Sequence, residues 1–152
     1  MMTRHILIAI TLILCSSSAW AGDALIHVKS ESDVPATVER LAGAAEAKEF
    51  TVVARIDHAA AAAGVGMELR PTTVVIFGNP RGGTPLMQCD QRAGLDLPLK
   101  VLVWENAEGE THLTYDHPRL LGRRHQMDEC SQRLEGVAAV LKDLVGQAAS
   151  GR

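Results

Sequence analysis

Apolar positions along this chain switch between a repeat of two and a repeat near 3.6, and the switches mark the elements. Ala24 to Lys29 sets Ile26 and Val28 against Leu25, His27 and Lys29, the alternation of a half-buried strand. Ser32 and Asp33 then offer helix caps, Pro35 suits a first turn, and Val38, Leu41, Ala42 and Ala45 share one face of the helix that follows. Phe50, Val52, Ala54 and Ile56 alternate with Thr51, Val53, Arg55 and Asp57, which predicts a second strand. The alanines from Ala59 to Ala63 predict a short helix closed by Gly64. Thr72 to Phe77, introduced by Pro71, is apolar on both faces, with Val74 and Ile76 opposing Val75 and Phe77. A strand of that kind is central and covered on both sides.

Farther along, Thr84 and Pro85 suit the N-cap and first residue of a helix through Gln91. That leaves Gly78 to Gly83 as a glycine-rich loop. Leu99 to Trp104 and Thr111 to Tyr115 predict two strands joined by a hairpin loop over Asn106 to Gly109. A last helix from about Glu129 carries an apolar stripe of Leu134, Val137, Ala138, Leu141, Leu144 and Val145, and residues 149–152 are expected to fray. The sum is one α+β domain, residues 22–148, with a mainly antiparallel five-stranded sheet and helices packed against it.

Ahead of that domain, Arg4, the apolar run Ile6 to Leu14 and the Ala19-Trp20-Ala21 site predict an export signal over residues 1–21. The run falls short of the ~20 apolar residues that a spanning helix needs. Lipid attachment at Cys15 would want a small residue where Leu14 stands. The expected location is therefore the periplasm or the medium. The chain carries 15 basic and 18 acidic side chains, and removing the signal takes away Arg4 and no acid. Such a balance gives no basic footprint for nucleic acid, nor for a membrane surface once the signal is cleaved. Aromatic residues make up only 3% of the chain, so its core must be built from Val, Leu, Ile and Ala.

Signal cleavage would leave Cys89 and Cys130 as an even pair, which in an oxidising compartment invites a disulfide. The same cysteines, with Met87, His125 and Met127, form a soft donor set suited to copper(I) or zinc, or to thiol-redox work. Neither a C-x-x-C pair nor an H-E-x-x-H helix supports that reading. Arg81, Gly82, Gly83 and Thr84 feed a helix N-terminus, where anions bind free N–H groups, but no Gly-Lys-Ser/Thr follows as in a Walker loop. His58 stands between a strand and a helix, a place from which imidazole can reach a cleft, with Met67 and Asn79 as weaker neighbours. The blander alternatives are that His58 caps its helix and Asn79 holds a turn. Arg70 reads as half of a surface ion pair and Asp96 as a turn former. The spacing assembles no Ser/His/Asp set, and no motif names a cofactor.

Ile56 to Pro80, reading IDHAAAAAGVGMELRPTTVVIFGNP, is followed by Asp96-Leu97-Pro98-Leu99-Lys100 running into Val101 to Glu105. As an ordered set these motifs resemble the signature of the bacterial family known as domain of unknown function 302, over roughly Val28 to Leu120. Glu49 departs from it, since relatives usually carry glycine there. The resemblance implies a compact α+β domain able to form a homodimer, and it carries no catalytic residue across. The expectation is a non-catalytic periplasmic domain that binds a small ligand or a partner. The alternative is a metal or thiol-redox protein using Cys89, Cys130, Met87, Met127 and His125.

Overall fold

The computed structural model describes residues 25–151; the expected export signal lies outside them. Strand β1 (Leu25–Lys29) leads to helix α1 (Val34–Ala47), whose N-cap Asp33 accepts a hydrogen bond from the Ala36 amide at 2.9 Å. Next come β2 (Thr51–Asp57), α2 (His58–Gly64), β3 (Thr72–Gly78), α3 (Pro80–Cys89) and a 3-10 turn over Gln91–Leu95. The hairpin β4 (Leu99–Glu105) and β5 (Thr111–Asp116) is followed by α4 (Arg119–Arg124), a 3-10 turn over Asp128–Cys130, and α5 (Ser131–Ala149). All strands pair antiparallel in the order β1-β5-β4-β3-β2, so α1 crosses from one edge of the sheet to the other. The α+β architecture follows the hydrophobic pattern closely.

Helices α1 and α5 lie side by side on one face of the sheet. Val34, Val38 and Leu41 of α1 and Leu141, Leu144 and Val145 of α5 close over Val75, Phe77, Val101, Val103, Leu113 and Tyr115. A second, smaller core joins the other helices: Leu86 and Ala93 meet Leu121, Met127 and Leu134. Val137 packs against both cores, so α5 is the wall they share. The last helix also keeps its order one residue into the stretch expected to fray, because Ala149 is buried and its carbonyl accepts the Glu31 amide.

Two strand readings need correction. The centre of the sheet is β4; β3 is the inner strand beside it. Its second face is also incompletely covered within one chain: Val74, Ile76, Leu102 and Trp104 are half-buried there, and Ile56 is 41% exposed. Both large helices pack on the opposite side, which leaves nothing comparable to bury this one. In β2 the simple alternation breaks at a bulge. Val52 faces Phe77, but Ala54 faces Ile76, so Val53 is the extra residue. Arg55 thereby turns to the helical face, where it pairs with Glu39 of α1, and Ile56 turns to the open face.

Candidate ligand-binding site

The Gly78 end of β3 is built by three close approaches. A Cβ at Gly78 would stand 3.1 Å from Cβ of Pro98, so glycine lets the Leu97-Pro98 segment lie against the strand end. The Leu97–Pro98 peptide is cis. Asn79 then works in two directions. Its Oδ1 accepts the Arg81 amide at 2.9 Å, capping α3, and its Nδ2 donates to the Glu49 carbonyl at 3.0 Å. Glu49 is held at φ 61, a left-handed conformation that explains why glycine suits this position.

This cap moves the start of α3. The helix begins at Pro80 rather than at Pro85, because Asn79-Pro80 supplies the cap and first residue five positions before Thr84-Pro85 could. Arg81 to Thr84 are therefore helical turn, not loop. Their leading amides are also used: Gly82 and Gly83 both donate to the Asn79 carbonyl at 2.9 Å. The free N–H groups expected of an anion nest are not there.

Between α3, the Leu97–Leu99 segment and the outer side of α5 lies a groove of about 810 Å³. That volume falls within the range usual for small-molecule sites, about 300–1,000 Å³. Its surface is overwhelmingly apolar, set by Phe50, Leu86, Leu97, Leu99, Val137 and Val140. Phe50 is fixed edge-on against Phe77, with ring centroids 5.7 Å apart. The charged groups that line the groove are Arg81 and Arg133, and neither has an ion-pair partner among the described residues. The Cys89–Cys130 disulfide, with Cα atoms 6.6 Å apart, ties the far end of α3 to the turn that opens α5. Both walls are thus joined covalently.

Behind the groove, Asp96 gathers a polar cluster. His125 Nε2 lies 2.6 Å from Asp96 Oδ2, Arg124 reaches Oδ1 at 2.6 Å, and Lys100 donates to the Asp96 carbonyl at 2.9 Å. His125 is buried. The hydrogen bond from His125, aided by the charges of Arg124 and Lys100, holds the Asp96 carboxyl below its ordinary range. This cluster pins the end of α4 to the segment that forms the groove's edge.

The sequence model of the family described as Domain of unknown function DUF302 matches residues 26–145. The chain belongs to that family. A crystal structure of an uncharacterized conserved DUF302 protein from Bacillus stearothermophilus shares the fold at a TM-score of 0.77 and 16% identity, covering 83% of this chain and 98% of that one. Among curated relatives, the fluoride-specific ion channel FluC 1 of Brucella suis biovar 1 (strain 1330) is 43% identical over 103 residues, 68% of this chain and 41% of the relative. FluC 1 of Brucella abortus biovar 1 (strain 9-941) matches at the same identity over 38% of its length. This DUF302 chain therefore spans about two fifths of the curated relatives it matches. None of its described helices is long and apolar enough to cross a membrane.

In this DUF302 fold the residues singled out from sequence separate. Asn79, Arg81, Gly82, Gly83, Thr84 and Met87 line the groove. His58 and Met67 do not. Thr51 pairs with Gly78 while Asp57 pairs with Thr73, which puts His58 and Asn79 at opposite ends of the paired strands. His58 is the exposed first residue of α2, capped by Asp57, and Met67 is 66% exposed. The proposed metal set is not assembled either: Cys89 and Cys130 are bridged, Met127 lies in the second core, and His125 is engaged by Asp96. Among the described residues no three His, Cys, Asp or Glu side chains cluster as metal ligands. Arg70 donates to the Glu105 carbonyl at 3.1 Å and has no ion-pair partner among the described residues. Sequence reasoning missed Arg133 and the α5 wall of the groove, and the Asp96–His125 pair. The available signal was Asp96's place in the family's Asp-Leu-Pro motif.

Proposed function

We propose that this DUF302 domain is an exported, non-catalytic binding protein whose ligand occupies the groove between α3 and α5. The observation that carries this reading is the conjunction at one place: an apolar groove of about 810 Å³ whose rim takes Gly78-Asn79-Pro80 from one family motif and Leu97-Pro98 from the other. The bridged cysteines support export, since such bonds persist in oxidising compartments. In the Brucella relatives a similar stretch accompanies further sequence in proteins named as ion channels. A binding module read by a membrane partner is consistent with that arrangement. With both thiols consumed in the bridge, the copper or zinc alternative is not carried forward.

Gly136 gives the test. It lines the groove on α5, and a Cβ there would meet nothing within 4 Å. Gly136→Leu should fold at least as well as the parent, since glycine inside a helix costs about 1 kcal/mol relative to a good helix former. It should also lose binding of a straight-chain fluorescent dye such as a conjugated polyene fatty acid. Unchanged dye binding in the folded variant would remove the groove from the function.

The open face of the sheet favours a second, compatible reading, that two copies pair. Ile56 is exposed there, and Val65, Met67 and Leu69, in the stretch that follows α2, are 74%, 66% and 50% exposed. Burying such apolar surface is what stabilises a homodimer. Sedimentation equilibrium should show a dimer at micromolar concentration that Ile56→Lys dissociates; a monomeric parent protein would end that reading.

A further inference from the structure

We infer that the groove's ligand is an amphipathic monoanion: a carboxylate head on an unbranched aliphatic chain, the head held by Arg133 and Arg81 and the chain lying along α5. This rests on the groove reading above and adds the chemical class.

Charge is the first ground. The chain has more acidic than basic side chains, yet no Asp or Glu lines the groove and two arginines do. Elsewhere Arg55, Arg92 and Arg124 each pair with a carboxylate. Arg81 and Arg133, both exposed at the groove's mouth, lack such a partner among the described residues. An unpaired guanidinium is a planar fork of donors that matches a carboxylate. A cationic ligand would meet only repulsion, and a neutral one would leave both charges idle.

The amides decide how much negative charge the head carries. Phosphate sites at helix N-termini recruit several free backbone N–H groups. Here those of Arg81, Gly82 and Gly83 are already given to Asn79. What remains suits a single small anion better than a di- or polyphosphate.

The walls decide the tail. Leu86, Leu97, Leu99, Val137 and Val140 are aliphatic and Met87 is adaptable, whereas Phe50, the one aromatic, already packs edge-on against Phe77. Gly82 on α3 and Gly136 on α5 keep the facing walls smooth, with open space where a Cβ would stand. A flexible alkyl chain fits such a slot; a ring system would find no stacking partner.

The test is calorimetric titration of the full chain at low salt with dodecanoate, decanoate, dodecanol and dodecyltrimethylammonium, each below its micelle-forming concentration. Dodecanoate should bind at least tenfold tighter than dodecanol, and the ammonium compound weakest. Decanoate should be roughly tenfold weaker than dodecanoate, the expected loss for two buried methylenes. Arg133→Gln and Arg81→Gln should each weaken dodecanoate several-fold and leave dodecanol unchanged. Dodecanol binding as tightly as dodecanoate, with both Gln variants unaltered, overturns the head-group assignment while the groove stands. Binding that survives Gly136→Leu overturns the groove itself. Refusal of all four probes overturns the inference as well.

Discussion

The two ends of β3 differ more than any other pair of regions in this molecule. At Gly78 the chain is pinned by Pro98, by Asn79 bridging to Glu49, and by a disulfide that fastens the adjoining helix to α5. At Thr72 the strand emerges from a stretch, Gly64 to Pro71, that is exposed throughout, preceded by a helix with no buried residue. Both ends carry family motifs and both looked functional as sequence. The groove of about 810 Å³ lies at the pinned end. The contrast teaches that rigidity around a cavity, rather than the chemical interest of an isolated histidine, is what singles out the proposed site.

The comparison breaks hardest at the disulfide. Closing a loop of sequence separation 41 is worth about 4 kcal/mol on the chain-entropy estimate. Reduction should lower stability by that order in denaturant titration, and hydrogen exchange should accelerate in α3 while α2 stays as it was. Equal acceleration in both helices would contradict the difference drawn between the two ends.

Glycine substitutions come next. Gly78→Ala must push Cβ against Pro98 and should cost about 2 kcal/mol. Gly64→Ala, with open space around its Cβ at the other end, should lie within about 0.5 kcal/mol of the parent. Matched losses by thermal unfolding would erase the contrast.

The Asp96 cluster sharpens it through pH. Because the folded carboxyl titrates below its unfolded value of about 3.9, its contribution is complete above that value and fades as pH falls through the folded one. Asp96→Asn should cost about 1.5 kcal/mol at neutral pH, in line with hydrogen bonds to charged groups. The gap between variant and parent should close below about pH 4. A gap that stays constant under acid would mean that the carboxylate charge contributes nothing.

The smallest expected effect has the opposite sign. Glu49→Gly should stabilise by about 1 kcal/mol, since it removes a left-handed side-chain residue while leaving its carbonyl to accept from Asn79. A loss in chemical denaturation would show that the Glu49 side chain contributes more than its backbone strain costs.

Most of the fold was legible because its elements obey simple periods. The alternation of β1, the apolar run of β3, the hairpin pattern of β4 and β5 and the stripe of α5 each predicted an element within a residue or two. Two local features hid. The bulge at Val53 shifts the facing of β2 without any glycine or proline to announce it. The start of α3 was misread because two Pro-containing starts compete, and Asn79 wins through a tertiary bond to Glu49 that no local pattern contains. The site was less legible for a related reason. Asn79 and Arg81 stood out in sequence, but Arg133 lies more than fifty positions later, on α5, where no local pattern ties it to them. Asp96 reads in sequence as a turn former and His125 as one of the soft donors, and only folding makes them a pair. Long-range proximity is what sequence spacing lacks.

The central claim, that the pinned end binds and the open end does not, is tested most directly by mapping dodecanoate onto the backbone by NMR. Amide shifts should concentrate in Gly78 to Met87 and Arg133 to Val140, with His58 to Arg70 unmoved. Shifts centred on His58 to Arg70, with the α3–α5 groove silent, would contradict the account.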